Sequence, residues 1–188
     1  MIFGSRNPKS RWQKALAFIW PTMTFERTWK YFKRRIARLP GTPYSIAAGF
    51  AAGAAVSFTP LIGFHFLLGA AVAYLIRGNL IASAFGTLVG NPWTFPFIWV
   101  AIYELGTSIM PGMAEPVPWR EMDWNFLMAH IPDVLVPMLF GGLILSVIVW
   151  PLVYFPMYRL IAKLKAGRAA RRIRKAQAAR EAAAESVA

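Results

Sequence analysis

Residues 57–65 read Ser57-Phe58-Thr59-Pro60-Leu61-Ile62-Gly63-Phe64-His65, and residues 87–94 read Thr87-Leu88-Val89-Gly90-Asn91-Pro92-Trp93-Thr94. Each places a proline and hydroxyl-bearing residues inside a run that is otherwise apolar. Proline removes a backbone donor and clashes with the preceding turn, so neither run forms one straight helix. The arms around the first break are short. Tyr44 to Thr59 is sixteen residues, about 24 Å as a helix, against about 30 Å of hydrocarbon. Leu61 to Arg77 is only slightly longer. If both arms crossed a bilayer, the turn near Pro60 and Gly63 would leave it with no charged residue at the exit. A re-entrant turn inside the membrane fits at least as well, provided protein or a water-filled cavity covers the broken backbone.

Gly78-Asn79 punctuates the chain after Arg77, a cytoplasmic anchor on this reading. Leu80 to Gly90 is again too short to span, and Trp93 to Met110, which contains Pro96, is nearly long enough. Laying Pro60 on Pro92, an offset of 32 residues, aligns small residues before each proline and larger apolar residues after it. Paired, Gly/Pro-interrupted segments are what transporter repeats look like in sequence, and two unrelated kinks are the competing reading.

Charge brackets this apolar middle. Residues 1–43 hold ten Lys/Arg against one acid, residues 44–158 two against five, and residues 159–188 nine against two. The net charge of +13 therefore does not describe a nucleic-acid-binding face, because the basic residues flank a hydrophobic segment instead of covering a folded surface. From Thr24 to Leu39, the residues Phe25, Trp29, Phe32, Ile36 and Leu39 recur at helical spacing opposite Arg27, Lys30, Lys33, Arg34, Arg35 and Arg38. Aromatics facing a dense basic stripe suit an interfacial helix on anionic lipid, with Trp29, Lys30, Phe32, Lys33, Arg34, Arg35 and Arg38 at the membrane surface. The early apolar run Ala15–Trp20 is too short for a signal-peptide core and is followed by Pro21, so no cleavage is expected.

Val134 to Tyr158 is the clearest spanning helix. It carries Gly141-Gly142 for close contact, Trp150, Tyr154 and Tyr158 as interfacial aromatics, and Arg159, Lys163 and Lys165 immediately after it. The acidic residues of 111–133 belong outside, and both basic ends inside, which requires an even number of crossings. The tail from Lys163 to Ala188 is a helix former without an apolar stripe and is read as solvated or partly disordered, with binding to anionic headgroups as the alternative. Its Arg171-Arg172-Ile173-Arg174-Lys175 cluster lacks the interleaved aromatics that base stacking uses, so nucleic acid is disfavoured as a partner.

The chain has no cysteine, which excludes disulfides, thiolate metal sites and a Cys nucleophile. His130 and Asp133 flank a proline and read as loop polarity, not as a metal site; no cofactor is expected. The polar residues at membrane depth cluster at the breaks. Ser57, Thr59 and His65 surround Pro60, and Thr87, Asn91 and Thr94 surround Pro92, so these six form a candidate ligand cavity. Asn91 suits the N-cap of the half-helix 93–110, whose N–H groups and positive dipole end could hold an anion; the plainer reading is that Asn91 only satisfies that helix end.

Gly49-Phe50-Ala51-Ala52-Gly53, then Phe58 to His65, then Arg77-Gly78-Asn79 and Asn91-Pro92-Trp93-Thr94, resembles the domain-of-unknown-function 2062 family of bacterial membrane proteins over roughly residues 30–160. The resemblance implies a bacterial inner-membrane protein. In that family the domain is sometimes fused to glycosyltransferases, which implies proximity to lipid-linked sugars or envelope polymers. It supplies no catalytic residue.

The expectation is thus an all-α, polytopic integral membrane protein of the cell inner membrane, with Pro/Gly-broken helices and an N-terminal amphipathic interfacial helix. Residues 1–43 form the basic interfacial segment. Residues 44–158 form the membrane domain, comprising broken segments 44–77 and 79–110, the outer loop 111–133 and the spanning helix 134–158. Residues 159–188 form the cytoplasmic tail. The expected breaks are Pro60, Gly63, Gly78, Asn79 and Pro92, and the expected partner is an anionic phospholipid membrane. Two functions fit. One is transport or flipping of an anionic lipid or lipid-linked envelope intermediate, as a homo-oligomer because one chain has few helices. The other is a non-transporting adaptor for an envelope-synthesis protein. An enzyme ranks third, for want of any acid–base or nucleophile constellation.

Overall fold

The structure, a computed structural model, describes residues 35–36, 38–111 and 131–185. The chain divides into residues 1–38 and 39–188. Of the first unit, Arg35 and Arg38 are exposed, and the Arg38 N–H donates to the Arg35 carbonyl at 3.0 Å. The rest of the expected amphipathic helix, with Trp29, Lys30, Phe32, Lys33 and Arg34, lies outside the described residues, as do His130 and most of the outer loop.

The described part of the second unit contains helices and no strand: α1, Pro43–Val56; α2, His65–Leu75; α3, Leu80–Gly86, prolonged by a 3-10 turn Thr87–Val89; α4, Phe95–Ile109; and α5, Ile131–Glu185. Among them α5 alone is long and apolar enough to cross a membrane; α1, α2 and α4, and α3 even with its 3-10 turn, are apolar but shorter.

Helix α1 starts where Pro43 fixes the first turn and the Thr42 hydroxyl accepts from the Ser45 N–H at 3.1 Å. It ends ahead of Pro60. Every residue from Ile46 to Val56 is buried, so α1 is the central element and its neighbours pack on all sides. Helix α2 runs back along it. The Tyr44 hydroxyl donates to the Ile76 carbonyl at 3.0 Å, and a Cβ on Gly69 would lie 3.3 Å from the Gly53 Cα. The Arg77-Gly78-Asn79 turn then reverses the chain, with Arg77 at φ 55°. Gly78 N–H donates to the Ala73 carbonyl, and the Asn79 side chain caps α3 by accepting from Ala82 N–H at 2.9 Å.

Helix α3 lies parallel to α1 with an offset near 30 residues. Asn79 N–H donates to the Ser45 carbonyl at 2.7 Å, Gly53 abuts the Ser83 backbone, and the Ser57 hydroxyl reaches the Thr87 carbonyl at 3.4 Å. The facing stripes are Ser45, Gly49, Gly53 and Ser57 on α1 and Asn79, Ser83 and Thr87 on the other, all at four-residue spacing. Small residues at this spacing let helix backbones approach closely.

The neighbours of α5 establish the layout. Along it, Pro137 meets Gly106, Gly141 meets Ile102, Gly142 meets Phe58, Ser146 donates to the Ala55 carbonyl, Tyr154 packs on Tyr44, and Lys165 donates to the Gly41 carbonyl. Helices α1, α3 and α4 therefore all run antiparallel to α5, and α2 runs with it. Helix α4 lies beside the N-terminal part of the apolar stretch of α5 and α1 beside its C-terminal part, with the breaks between. Ile98, Ile102, Tyr103, Val134 and Met138 form the buried cluster of the α4–α5 contact.

Three boundaries differ from the sequence reading. Ile131, Pro132 and Asp133, assigned there to the outer loop, belong to α5. Residues 159–185 continue α5 without interruption, so the division after Tyr158 is one of composition only. The tail is helical through Glu185 because Ala, Arg, Lys and Glu are strong helix formers. Phe95, not Trp93, begins the regular part of α4, because residues 92–94 form a turn.

The α1–α3 contact makes the first prediction. A Cβ on Gly86 would strike the Phe50 carbonyl and lie 2.9 Å from the Ala54 nitrogen. Gly86→Ala should therefore destabilise by about 2 kcal/mol as overpacking, lowering the melting temperature of the detergent-purified chain by about 4–8 °C. Ser83→Ala removes a buried hydroxyl that has no partner and should leave the melting temperature unchanged or raise it. Equal effects of the two substitutions would contradict this packing.

Candidate functional site

A broken helix releases carbonyls at one end and N–H groups at the other, and inside an apolar environment each needs a partner. At the first break the Gly53, Ala55 and Val56 carbonyls accept from the backbone N–H groups of Ser57, Phe58 and Thr59 at 3.3, 3.0 and 3.0 Å, and hydroxyls add a second donor to each. The Ser57 hydroxyl donates to the Gly53 carbonyl at 3.1 Å, and the Thr59 hydroxyl to the Val56 carbonyl at 2.8 Å. Ser146 of α5 supplies the third hydroxyl, to the Ala55 carbonyl at 2.8 Å. His65 is buried, and its Nε2 lies 3.2 Å from the Thr59 carbonyl. A carbonyl only accepts, so this bond requires the proton on Nε2.

The second break is closed more locally. The Asn91 Oδ1 accepts from the N–H groups of Trp93 at 2.9 Å and Thr94 at 3.2 Å, while its Nδ2 donates to the Leu88 carbonyl at 3.2 Å. The Thr94 hydroxyl donates to the Val89 carbonyl at 2.6 Å and accepts from the Asn91 N–H at 2.9 Å. Thr87 donates to the Ala84 carbonyl at 2.8 Å. Asn91 thus caps the turn leading into α4, as its position before Pro92 suggests.

The breaks adjoin one another. Ser57 reaches the Thr87 carbonyl, a Cβ on Gly90 would lie 2.8 Å from the Ser57 Cβ, and the His65 ring lies 5.5 Å from that of Phe95, which in turn is 5.9 Å from Trp99. The fold therefore brings the two sequence clusters to one place, yet their side chains turn toward freed backbone groups more than toward each other. Of the expected breaks, Gly63 adopts φ 86° and Gly78 packs 2.7 Å, as a virtual Cβ, from the Gly49 nitrogen.

Three participants escape the sequence reading. Ser146 is one, and four-residue spacing from Gly142 was the available signal. Ser83 is another, on the small-residue stripe Asn79-Ser83-Thr87, with its buried Oγ lacking a partner. Lys165, read only as a positive flank, donates to the carbonyls of Gly41 and Leu39, the latter at 3.5 Å, while the Asn79 Nδ2 donates to the Pro40 carbonyl at 2.8 Å. Among the described residues no group of acids and histidines could hold a metal ion.

No curated protein and no solved structure matches this chain. A family model described as "Uncharacterized protein conserved in bacteria (DUF2062)" matches residues 26–170, which takes in every helix described above except the last fifteen residues of α5. With three quarters of its length matched, and the two breaks at its centre, the chain belongs to the DUF2062 family.

Proposed function

We propose that the chain is an integral protein of a bacterial inner membrane that moves an anionic lipid or lipid-linked envelope intermediate, working as an assembly of several copies. In this reading α5 crosses once, α3 and α4 together make a second, broken crossing, and α1 and α2 form a re-entrant hairpin entering from the cytoplasmic face. Two crossings put both basic ends inside and residues 111–130 outside. The observation that carries the reading is the depth of the paired breaks. Asp133 and Tyr154 are 21 residues apart on α5, about 32 Å, close to the hydrocarbon thickness of about 30 Å. Gly142 and Ser146, the residues that touch the first break, lie around the midpoint of that interval. Discontinuous helices meeting at the bilayer midplane are the architecture from which substrate sites of transporters are built.

Surface chemistry supports the same placement. Leu75 is 79 % exposed, Phe97 78 % and Val147 68 %, a degree of apolar exposure that lipid tolerates and water does not. Tyr44, Trp150, Tyr154 and Tyr158 gather near the α1 start, with Trp150 and Tyr154 stacked at 4.9 Å, as an interfacial belt would be.

A second reading, a non-transporting adaptor for an envelope-synthesis protein, is favoured by a specific observation. All six candidate residues bond to backbone groups of the breaks, which is what purely structural locks would do.

Topology gives one test. In the Cys-free chain, Arg77→Cys should react with an impermeant thiol reagent only from the cytoplasm, Glu121→Cys only from outside, and Ile62→Cys from neither side. Reaction of Ile62→Cys from outside would replace the re-entrant hairpin by two full crossings.

The functional readings separate at Asn91. Asn91→Ala loses a cap and should cost about 0.5–2 kcal/mol, whereas Asn91→Asp keeps the cap and adds a negative charge. Transport of an anion past this point predicts that Asn91→Asp fails to complement a deletion strain although its abundance is normal. Full complementation by Asn91→Asp, with the loss in Asn91→Ala matching its fall in abundance, favours the adaptor.

A further inference from the structure

Helix α5 does not stop at the aromatic belt but continues to Glu185, and its basic residues are not evenly distributed around it. Lys165, Arg168, Arg171, Arg172 and Lys175 follow one another at intervals of three, three, one and three, which at 3.6 residues per turn confines them to one stripe about a third of the circumference wide. Ala166, Ala170, Gln177 and Glu181 occupy the opposite side. Lys165 fixes which way the stripe points: it is the side by which α5 grips the Gly41 and Leu39 carbonyls, at the end of the bundle where α1 and α3 begin. Arg171, Arg172 and Lys175 are exposed.

We propose that this stripe is a docking surface for the anionic phospholipid headgroups of the cytoplasmic leaflet, holding the distal part of α5 inclined against the membrane. The inference rests on the reading that α5 spans the bilayer. On that reading Trp150, Tyr154 and Tyr158 sit at the interface and Lys165 lies two turns, about 10 Å, past Tyr158, so the membrane surface nearest the stripe is the leaflet that the helix has just left. Charge complementarity selects anionic lipid: the side carrying Lys165 is uniformly basic, and the described acid, Glu181, faces away. A polybasic segment next to a membrane helix is drawn to such a surface by Coulomb attraction without inserting, which suits a segment with no apolar stripe. An upright helix would hold Lys175 about 15 Å past Lys165, beyond the screening length of about 8 Å at physiological salt. Inclination brings Arg168, Arg171, Arg172 and Lys175 closer to the surface. Gly167, which precedes them, has no neighbour within 4 Å of its Cβ position and is the weakest helix former in the segment, so α5 can bend there.

The test uses the full chain with a donor fluorophore on Ala179→Cys, reconstituted in nanodiscs whose lipid carries a headgroup acceptor. Co-elution of chain and nanodisc is recorded first; failure to co-elute overturns the spanning reading and this inference with it. In co-eluting discs, energy transfer should be higher with phosphatidylglycerol present than in pure phosphatidylcholine, and molar salt should abolish the difference. The triple variant Arg171→Gln, Arg172→Gln, Lys175→Gln should lower the ratio of docked to free tail about a hundredfold at low salt, at about fivefold per charge. Arg174→Gln with Arg180→Gln, which lie off the stripe, should leave most of it. Equal transfer in the two lipids overturns the docking surface alone. An equal loss per charge in the two variants overturns the stripe in favour of net charge. A transfer change caused by added RNA and not by phosphatidylglycerol reassigns the surface to nucleic acid and likewise overturns the proposal.

Discussion

The constraint on which this fold depends is that α1, only fourteen residues long, is buried on every side from Ile46 onward. A short, fully buried helix gains little from large side chains, because they would hold its neighbours away and leave the backbone at its ends uncovered. Ala and Gly solve both problems. Gly49 and Gly53 admit the backbone of α3 and its N-terminal turn, and Gly69, Gly78 and Gly86 on the surrounding segments return the contact. Close approach of the backbones also gains dispersion energy that larger side chains at these positions would forfeit.

The same constraint explains why the polar residues sit where they do. Ending α1 at Val56 leaves its last carbonyls without the next helical turn, and a buried carbonyl with no partner would cost about 2–7 kcal/mol. Backbone N–H groups of the turn meet three of them, and the hydroxyls of Ser57 and Thr59 in the break and of Ser146 on α5 add a second donor to each. Polar clustering at a helix break thus serves the break itself, before any ligand is considered. A substrate path through this region would have to compete with, or borrow from, bonds the fold already uses.

The breaks were legible because proline and glycine act locally, and so was the likeness between the two halves, but its register was not. Aligning Pro60 with Pro92 gives an offset of 32; the hydrogen bonds give 30. Phe64 N–H to Leu61 carbonyl recurs as Thr94 to Asn91, and Leu68 to Phe64 recurs as Ile98 to Thr94. Proline occupies different steps of an equivalent turn, with Gly90 standing where Pro60 does and Pro92 where Ile62 does, so residue identity misaligns what backbone geometry aligns. The stripe Asn79-Ser83-Thr87 was visible at four-residue spacing and facing Ser45-Gly49-Gly53-Ser57, but pairing them needs the third dimension. The continuation of α5 was hidden for a different reason: charge changes abruptly at Arg159 whereas helix propensity does not, and a boundary drawn on charge divides one element into two.

That 30-residue register also identifies what makes the two halves diverge. Both run from a helix through a turn into a second helix, yet α2 doubles back beside α1 whereas α4 continues in the direction of α3. The third residue of the first turn is Gly63, at φ 86°, and its counterpart is Trp93, which has no positive φ. A left-handed step of this kind is open to glycine and disfavoured for a bulky side chain. Downstream, the Phe95 N–H reaches back to the Asn91 carbonyl at 2.9 Å, so the second turn is already helical and α4 follows from it in line. The first turn lacks that bond. One residue type at one step of a shared turn thus separates a returning hairpin from a through-going broken helix, and the bundle holds both conformations side by side.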